Sequence, residues 1–411
     1  MIGEIMKTKL SLAALLAGGM MVATSGSASA ADLGGDCCAD LEERVATLEA
    51  TTARKGNRKV SLQISGQVNQ SLVIWDDGED SDAYVASNSA SASRFRFKGG
   101  AKINSDWSAG YYIEIGLATA RTLGISNDPA VGDDGGAVFR IRQSNMYVKS
   151  KTLGKLTWGQ ASPGTDDLAF SADVSGLAGS FQPDFHSQFG FQFRTAAGAL
   201  SGIRVRDLGG SLNGALFFDG TTRQNVVRYD TPTIAGFVLT ASWGEDDFWD
   251  VALRTTQKLG DLTVKVGIGY NEFGGNDTSA ANGEEQSFTA NAGIIHNPTG
   301  IFVHAAYRGF TYDGGTNGRL DSDGYHIKAG IKQRWNSLGK TAIYGGYTQI
   351  DDGGALTVNS SEISRISVGF QQWIDAAALE LYAVYDHVEG ENNGVEFQDI
   401  DTVTIGGRIK F

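Results

Sequence analysis

From Val60 onward the chain alternates apolar and polar residues with a period of two. Val60, Leu62, Ile64, Val68, Leu72 and Ile74 are interleaved with Ser61, Gln63, Ser65, Gln67, Asn69 and Ser71. Phe95, Phe97, Ala101 and Ile103 alternate with Arg94, Arg96, Lys98 and Lys102. Trp107, Ala109, Tyr111, Ile113, Ile115 and Leu117 share a face, with Tyr112 and Glu114 between them. Each run predicts a strand with one apolar and one polar face. Helical patterns capable of covering so many one-sided strands are missing downstream of residue 60. The apolar faces are therefore expected to meet lipid, and the polar faces to line an aqueous lumen.

Breakers place strands at 60–75, 93–104, 107–118, 138–151 and 155–160, then at 223–231, 236–246, 248–259, 262–271 and 287–297. Six more follow at 300–312, 324–335, 340–350, 363–373, 378–388 and 400–411. That makes sixteen, the even number a bacterial single-chain barrel requires. Short connections at 105–106, 152–154, 232–235, 260–261, 298–299, 336–339 and 375–377 alternate with longer Gly/Asp-rich ones. The longer ones lie at 76–82, 128–136, 274–285, 313–323 and 390–393, and 245–248 is unusually short for that side. Short turns on one side and long loops on the other are the asymmetry of an outer-membrane barrel. The predicted fold is thus all-β, a sixteen-stranded antiparallel transmembrane β-barrel over residues 60–411. Trp107, Tyr147, Trp158, Tyr229, Trp243, Tyr270, Tyr312, Trp335, Trp373 and Tyr385 fall near strand ends and suit interfacial girdles, although strand propensity alone also favours aromatics.

Upstream the pattern differs. Leu41, Val45, Leu48 and Thr52 step as a coiled-coil seam, which predicts a short helix over residues 39–52. Two heptads are too few for an independent coiled coil, so the helix either docks on its own chain or associates beside an existing oligomer. The basic stretch 54–59 reads as a solvated linker or a contact for anionic lipid headgroups. Lys7 and Lys9, the apolar run 10–22 and Ala28-Ser29-Ala30 match an export signal spanning residues 1–30, with cleavage between Ala30 and Ala31. Met6 offers a second start that would omit Glu4.

Composition narrows the class further. Across 411 residues, hydrophobic residues are 41%, charged residues 20% and mean hydropathy is −0.18. No several-fold repeat of apolar runs of about 20 residues exists, which excludes a helical membrane bundle. Aromatics at 10% exclude disorder. The 55 glycines against 5 prolines suit tight turns and closely approaching strands. A net charge of −13, or −14 once Glu4, Lys7 and Lys9 are removed, speaks against nucleic acid as a partner. The cysteines, Cys37 and Cys38, are adjacent and can neither staple distant segments nor supply a zinc site.

Candidate chemistry centres on the longest interruption, 161–222. It carries Asp166, Asp167, Asp173 and Asp184 together with Phe181, Phe185, Phe189, Phe191 and Phe193. So long a loop is expected only where it has work to do. A sixteen-stranded barrel leaves a wide channel that something must narrow. The segment is therefore expected to fold inward, anchored by its phenylalanines, with its carboxylates facing the pore. Opposite it, Arg94, Arg96 and Lys98 share one face of the second strand, Arg140 and Arg142 one face of the fourth, and Arg228 points inward on the sixth, with Arg223 at that strand's start. Facing carboxylates and bases would set a field across the pore that disfavours apolar solutes. The acidic cluster Asp76, Asp77, Glu79, Asp80 and Asp82 reads as a solvated loop without EF-hand spacing. Enzyme motifs fail: there is no G-x-S-x-G, Arg334 stands where a phosphate loop before Gly339-Lys340-Thr341 needs glycine, and five dispersed histidines show no metal spacing. No cofactor is expected.

The stretch Asp36-Cys37-Cys38-Ala39-Asp40-Leu41-Glu42-Glu43-Arg44-Val45, followed by Arg54-Lys55-Gly56-Asn57-Arg58-Lys59-Val60-Ser61, resembles the mature N-terminus of alphaproteobacterial outer-membrane porins. Phe139-Arg140-Ile141-Arg142-Gln143, Asn225-Val226-Val227-Arg228-Tyr229-Asp230 and the final Phe411 extend the resemblance over the mature chain. It implies a homotrimeric barrel for passive diffusion of ions and small hydrophilic solutes. It also implies a constriction loop after the fifth strand, basic wall residues at Arg94, Arg96, Arg140 and Arg142, and Phe411 as a signal for the barrel-assembly machinery. Interchain disulfides through Cys37 and Cys38 at a trimer base are one hypothesis it raises. Rivals to the general diffusion porin are a substrate-selective channel on the same fold, a barrel hydrolase lacking a defensible Ser/His pair, and a structural or adhesin barrel. Lipopolysaccharide is expected at the rims. Ion preference stays open in the sequence, because the wall bases favour anions while the loop carboxylates and the net charge favour cations.

Overall fold

The computed structural model describes residues 59–132, 137–210, 216–218, 222–245, 247–273, 284–313, 320–353 and 360–411. The expected signal peptide and the helix over 39–52 lie outside them. Sixteen strands form the wall: β1 (Gln63–Asp76), β2 (Arg94–Lys102), β3 (Trp107–Ala118), β4 (Val138–Ser150), β5 (Gly154–Ala161), β6 (Gln224–Asp230), β7 (Phe237–Gly244) and β8 (Trp249–Leu259). They continue as β9 (Leu262–Phe273), β10 (Glu284–His296), β11 (Ile301–Asp313), β12 (Ser322–Gln333), β13 (Thr341–Asp351), β14 (Ser361–Ile374), β15 (Leu379–Asn392) and β16 (Ile400–Lys410). Neighbours pair antiparallel throughout. Closure comes from β1 against β16, from Gln67↔Lys410 to Asp76↔Asp401, and β5 meets β6 directly across the long interruption. The edges that would otherwise template aggregation are thereby removed.

The alternation works as expected. Val68 and Leu72 are exposed toward the outside, while Gln67, Asn69 and Ser71 are buried on the lumen side. On β14, Ile366 and Val368 are exposed and Arg365 and Ser367 are buried inside. The turns follow local chemistry. Asn104 Oδ1 accepts from the N–H groups of Asp106 and Trp107 and closes the β2–β3 turn. Gly300 has φ +69°, and a Cβ there would stand 2.0 Å from the Lys332 carbonyl oxygen. At the short outer connection between β7 and β8, Gly244 N–H donates to Phe248 O at 2.9 Å and Phe248 N–H to Glu245 O at 3.1 Å.

Three details depart from the pattern reading. A ribbon Ser81–Ser87 continues the β2 side of the barrel, pairing with β1 from Gln70↔Ser87 to Asp76↔Ser81. Between that ribbon and β2 the chain jogs inward at 88–93. Gln67 and Asn69 donate to the Ser91 carbonyl, and Asn88 donates to the Tyr382 hydroxyl. Secondly, a bulge on β4 pairs Glu114 with Gln143 but Ile115 with Ile141, so Arg142 is an extra residue. Beyond it the parity flips, and Tyr147 lines the lumen instead of joining an outer girdle. Tyr312, stacked on buried Phe310, and Trp373, packed beside Val174 and Leu177, also face inward. Trp107, Tyr229, Trp243 and Trp335 are exposed as the girdle reading expects. Finally, Asp77 is no solvated loop acid: it is fully buried and paired with Arg194 at 2.8 Å.

Candidate functional site

The interruption between β5 and β6 has structure of its own. It holds a helical turn α1 (Leu168–Ser171), a ribbon of Gln192–Arg194 with Leu200–Arg204, and a second turn α2 (Val205–Gly209). Polar side chains of the far wall grip its backbone. Lys332 on β12 donates to the carbonyls of Val174 and Ser175, and Arg365 on β14 donates to those of Gln182, Pro183 and Asp184. Asn291 on β10 accepts from Ala172 N–H, and Gln188 donates to Asp386 on β15. The loop's backbone groups, which a dry interior would leave unsatisfied, are met this way. Wall glycines make room: at Gly293 a Cβ would lie 2.1 Å from the Ala172 carbonyl oxygen. Phe181, Phe185, Phe189, Phe191 and Phe193 are all buried, most of them in a cluster with Val73, Trp75, Phe217 and Phe218.

The four sequence-selected carboxylates divide into two pairs. Asp166 and Asp167 border an open cavity beside Arg223, whose Nη2 is 3.9 Å and 3.4 Å from them. Asp173 and Asp184 do not line that cavity; they fasten the segment to the far wall. Asp173 is buried and paired with Lys328 at 2.9 Å. Burial pushes this carboxyl up, but the Lys328 ammonium and the Ser175 hydroxyl outweigh burial and hold it at about 2. Asp184 accepts from Phe218 N–H at 2.8 Å. Burial dominates here and raises it to about 7, against the Phe218 N–H and the Arg365 charge. Beside it His186 is pushed down to about 4, again by burial.

The open cavity, about 830 Å³, lies between the segment and the wall of β2 to β4. Arg94, Arg140, Arg142 and Arg223 line it, and the inward jog contributes Ser89 to Ala92. A second cavity of about 470 Å³ lies toward the short turns on the same wall, lined by Lys98, Lys149, Lys155 and Arg228. Lys98 therefore leaves the arginine group and instead sits over the Tyr112 ring at 5.0 Å. Arg228 points inward, paired with Asp230 at 2.6 Å and donating to the Ser162 carbonyl.

The residue that pattern reading passed over is Glu114. Buried on β3, it takes Arg96 Nε on one oxygen at 2.7 Å and Arg142 Nε on the other at 2.7 Å, with Arg94 Nη1 at 3.4 Å. The signal was present: Glu114 has lumen parity and pairs directly across from Arg96. A local carboxylate, rather than the loop aspartates, thus relieves most of the repulsion among these arginines. Among the described residues, His387, Glu389 and Asp399 approach closely enough to hold a metal ion. The imidazole Nδ1 already contacts Asp401 at 2.9 Å. An imidazolium ringed by carboxylates accounts for the same arrangement, so no metal is assigned.

The model of a family described as Gram-negative porin matches residues 13–393. No curated protein matches the sequence. Among solved structures, the chain is similar to the anion-selective porin from Comamonas acidovorans, with TM-score 0.56 and 17% identity over 86% of this chain and 100% of that one. It is also similar to the trimer form of Vibrio cholerae OmpT, with TM-score 0.54 and 18% identity over 86% and 99% of the two chains. Salmonella typhi OmpF in complex with daunomycin gives TM-score 0.53 and 12% identity over 87% and 99%.

Proposed function

As a member of the Gram-negative porin family, this chain forms a diffusion channel of the outer membrane, and we propose that the segment 162–223 is its constriction. Ions and small hydrophilic solutes pass between that segment and the wall of β2 to β6, driven by their own gradients and without a covalent step. The observation that carries the reading is the 830 Å³ cavity, bordered by Arg94, Arg140 and Arg142 on the wall and by Asp166 and Asp167 on the segment. Charges held on both sides order the water between them, and an apolar solute cannot replace that water.

In the same reading the chain is an alphaproteobacterial porin, exported by residues 1–30 and cleaved between Ala30 and Ala31. It assembles as a homotrimer, as supported by the trimer form of its Vibrio cholerae structural relative. The short helix over 39–52 precedes the barrel, and Phe411 is the signal read during barrel assembly. Phe411 exchanges backbone hydrogen bonds with Gly66, and its ring packs on Phe95, which supports a role at the seam.

Purified, unboiled protein in a planar bilayer tests the proposal. Large ohmic steps that close in thirds are expected. Saturable flux with block by one solute class would instead establish a substrate-selective channel, and a barrel that never conducts would be a structural one.

A further inference from the structure

We infer that the passage selects small anions, although the chain as a whole is strongly acidic. The inference rests on the diffusion-channel reading above and adds the solute class. Besides Arg94, Arg140, Arg142 and Arg223, the larger cavity is lined by Arg121 from the connection after β3, Arg254 on β8 and Arg408 on β16. Seven guanidinium groups from six stretches of chain therefore converge on one space, against Asp166 and Asp167 as the lining carboxylates among the described residues. The second cavity on the same wall adds Lys98, Lys149, Lys155 and Arg228 and, among the described residues, no carboxylate. Several of these bases have acidic partners set behind them. Glu114 serves Arg94 and Arg142, Asp230 serves Arg228, and Glu380 takes Arg408 at 2.5 Å. Asp250, close by on β8, is held by Thr165. Among the described residues, counting all four of these with the two lining aspartates still leaves the bases of the two cavities in excess by five.

The chain's own acidity does not reverse this. Asp323, Asp351, Asp352, Glu362, Glu389, Glu391 and Asp399 stand at the loop ends of β12 to β16 and line neither cavity. Asp173 and Asp184 are spent on fastening the segment to the far wall. Permeant ions respond to the potential where the passage is narrowest and its walls least polarisable, because a cleft of one sign concentrates counter-ions there. Charges beyond a Debye length, about 10 Å at 0.1 M salt, are largely screened. The local basic excess therefore governs, and the net charge of −13 does not.

The test is the reversal potential of the reconstituted, full-length protein under a KCl gradient. The sign is expected to be that of chloride, with a several-fold anion preference near 0.1 M. That preference should shrink toward one near 1 M, where the Debye length is about 3 Å. Arg140→Gln should lower the preference and Arg140→Glu with Arg121→Glu should lower it further or invert it, while Arg140→Lys should retain it. If the double variant fails to insert, the graded series Arg140→Lys and Arg140→Gln still decides. Open steps with a cation-selective or zero reversal potential would overturn the inference and leave the channel reading standing. Preference untouched by Arg140→Gln and by charge reversal would overturn it as well. Absence of any conductance would overturn the channel reading and the inference together.

Discussion

Glu114 holds three guanidinium groups, those of Arg94, Arg96 and Arg142, from the two strands that flank its own. Charge-assisted hydrogen bonds of this kind fix side-chain geometry as well as energy. Replacing Glu114 with Gln removes the shared anion behind Arg94 and Arg142, which line the cavity, and behind Arg96 beside them. The expected result is a reversal potential displaced further toward the anion and a less stable barrel, both measurable on the same preparation. A second residue-scale case is the pair Lys328 and Asp173, whose side chains are almost wholly buried. Lys328→Met leaves a buried carboxylate without its partner, a change that costs about 3–5 kcal/mol. Combining it with Asp173→Asn should recover most of that loss. Thermal unfolding of the two variants in detergent checks this, and equal destabilisation of both would show that the pair is not the cause.

The inward segment is the element whose behaviour depends on pH. In the docked state Asp184 keeps its proton up to about pH 7, whereas an unperturbed carboxyl loses it near 3.8. Docking on this account weakens as pH rises through that window. His186 acts in the opposite sense. Docked, it stays neutral down to about pH 4, while the free ring protonates near 6.5, so docking strengthens as pH rises between those values. From about pH 4 to 6.5 the two slopes oppose each other and nearly cancel. Asp173, held at about 2, adds a loss of docking only on acidification below 3.8. Asp184→Asn should therefore unmask the histidine, and backbone amide protection in residues 165–193, corrected for intrinsic exchange, should fall as pH drops below 6.5. Protection that stays level in this variant would mean that His186 is not held neutral. Room for the segment is a separate requirement. Gly293→Val places a side chain where the Ala172 carbonyl now sits, and the expected result is a displaced segment with larger, noisier conductance steps.

At the scale of the whole molecule, closure is what turns sixteen strands into a pore. β1 and β16 carry the seam, and Phe411 extends it by exchanging two hydrogen bonds with Gly66 at 2.7 and 3.1 Å. Gly66 is glycine because a Cβ there would stand 2.5 Å from the Phe411 ring and 2.6 Å from the Arg94 carbonyl oxygen. Deleting Phe411 should lower the yield of folded barrel in outer membranes. The readout is the fraction of protein whose electrophoretic mobility changes on boiling. An unchanged fraction would remove Phe411 from both closure and assembly.

Strand number, strand parity and the side of the long loops were legible in the sequence because each depends on neighbours one or two residues apart. Alternation assigns a face locally, and Gly/Asp-rich breakers punctuate it wherever the chain must turn. The candidate wall bases were legible for the same reason: Arg94, Arg96, Arg140, Arg142 and Arg228 have lumen parity on their own strands. Parity failed at the β4 bulge, where one extra residue turned Tyr147 inward, and an added residue leaves no periodic trace of its own. The sequence was silent on pairings across the barrel, since they join residues far apart along the chain. Only the fold could bring Asp173 to Lys328 and Asp184 under Arg365, away from the open cavity, while leaving Asp166 and Asp167 beside Arg223. Only the fold could add Arg121, Arg254 and Arg408 to the same lining. Ion preference depends on which charges share a low-dielectric space rather than on how many the chain contains. For that reason it was undetermined by composition and is read from the tertiary structure.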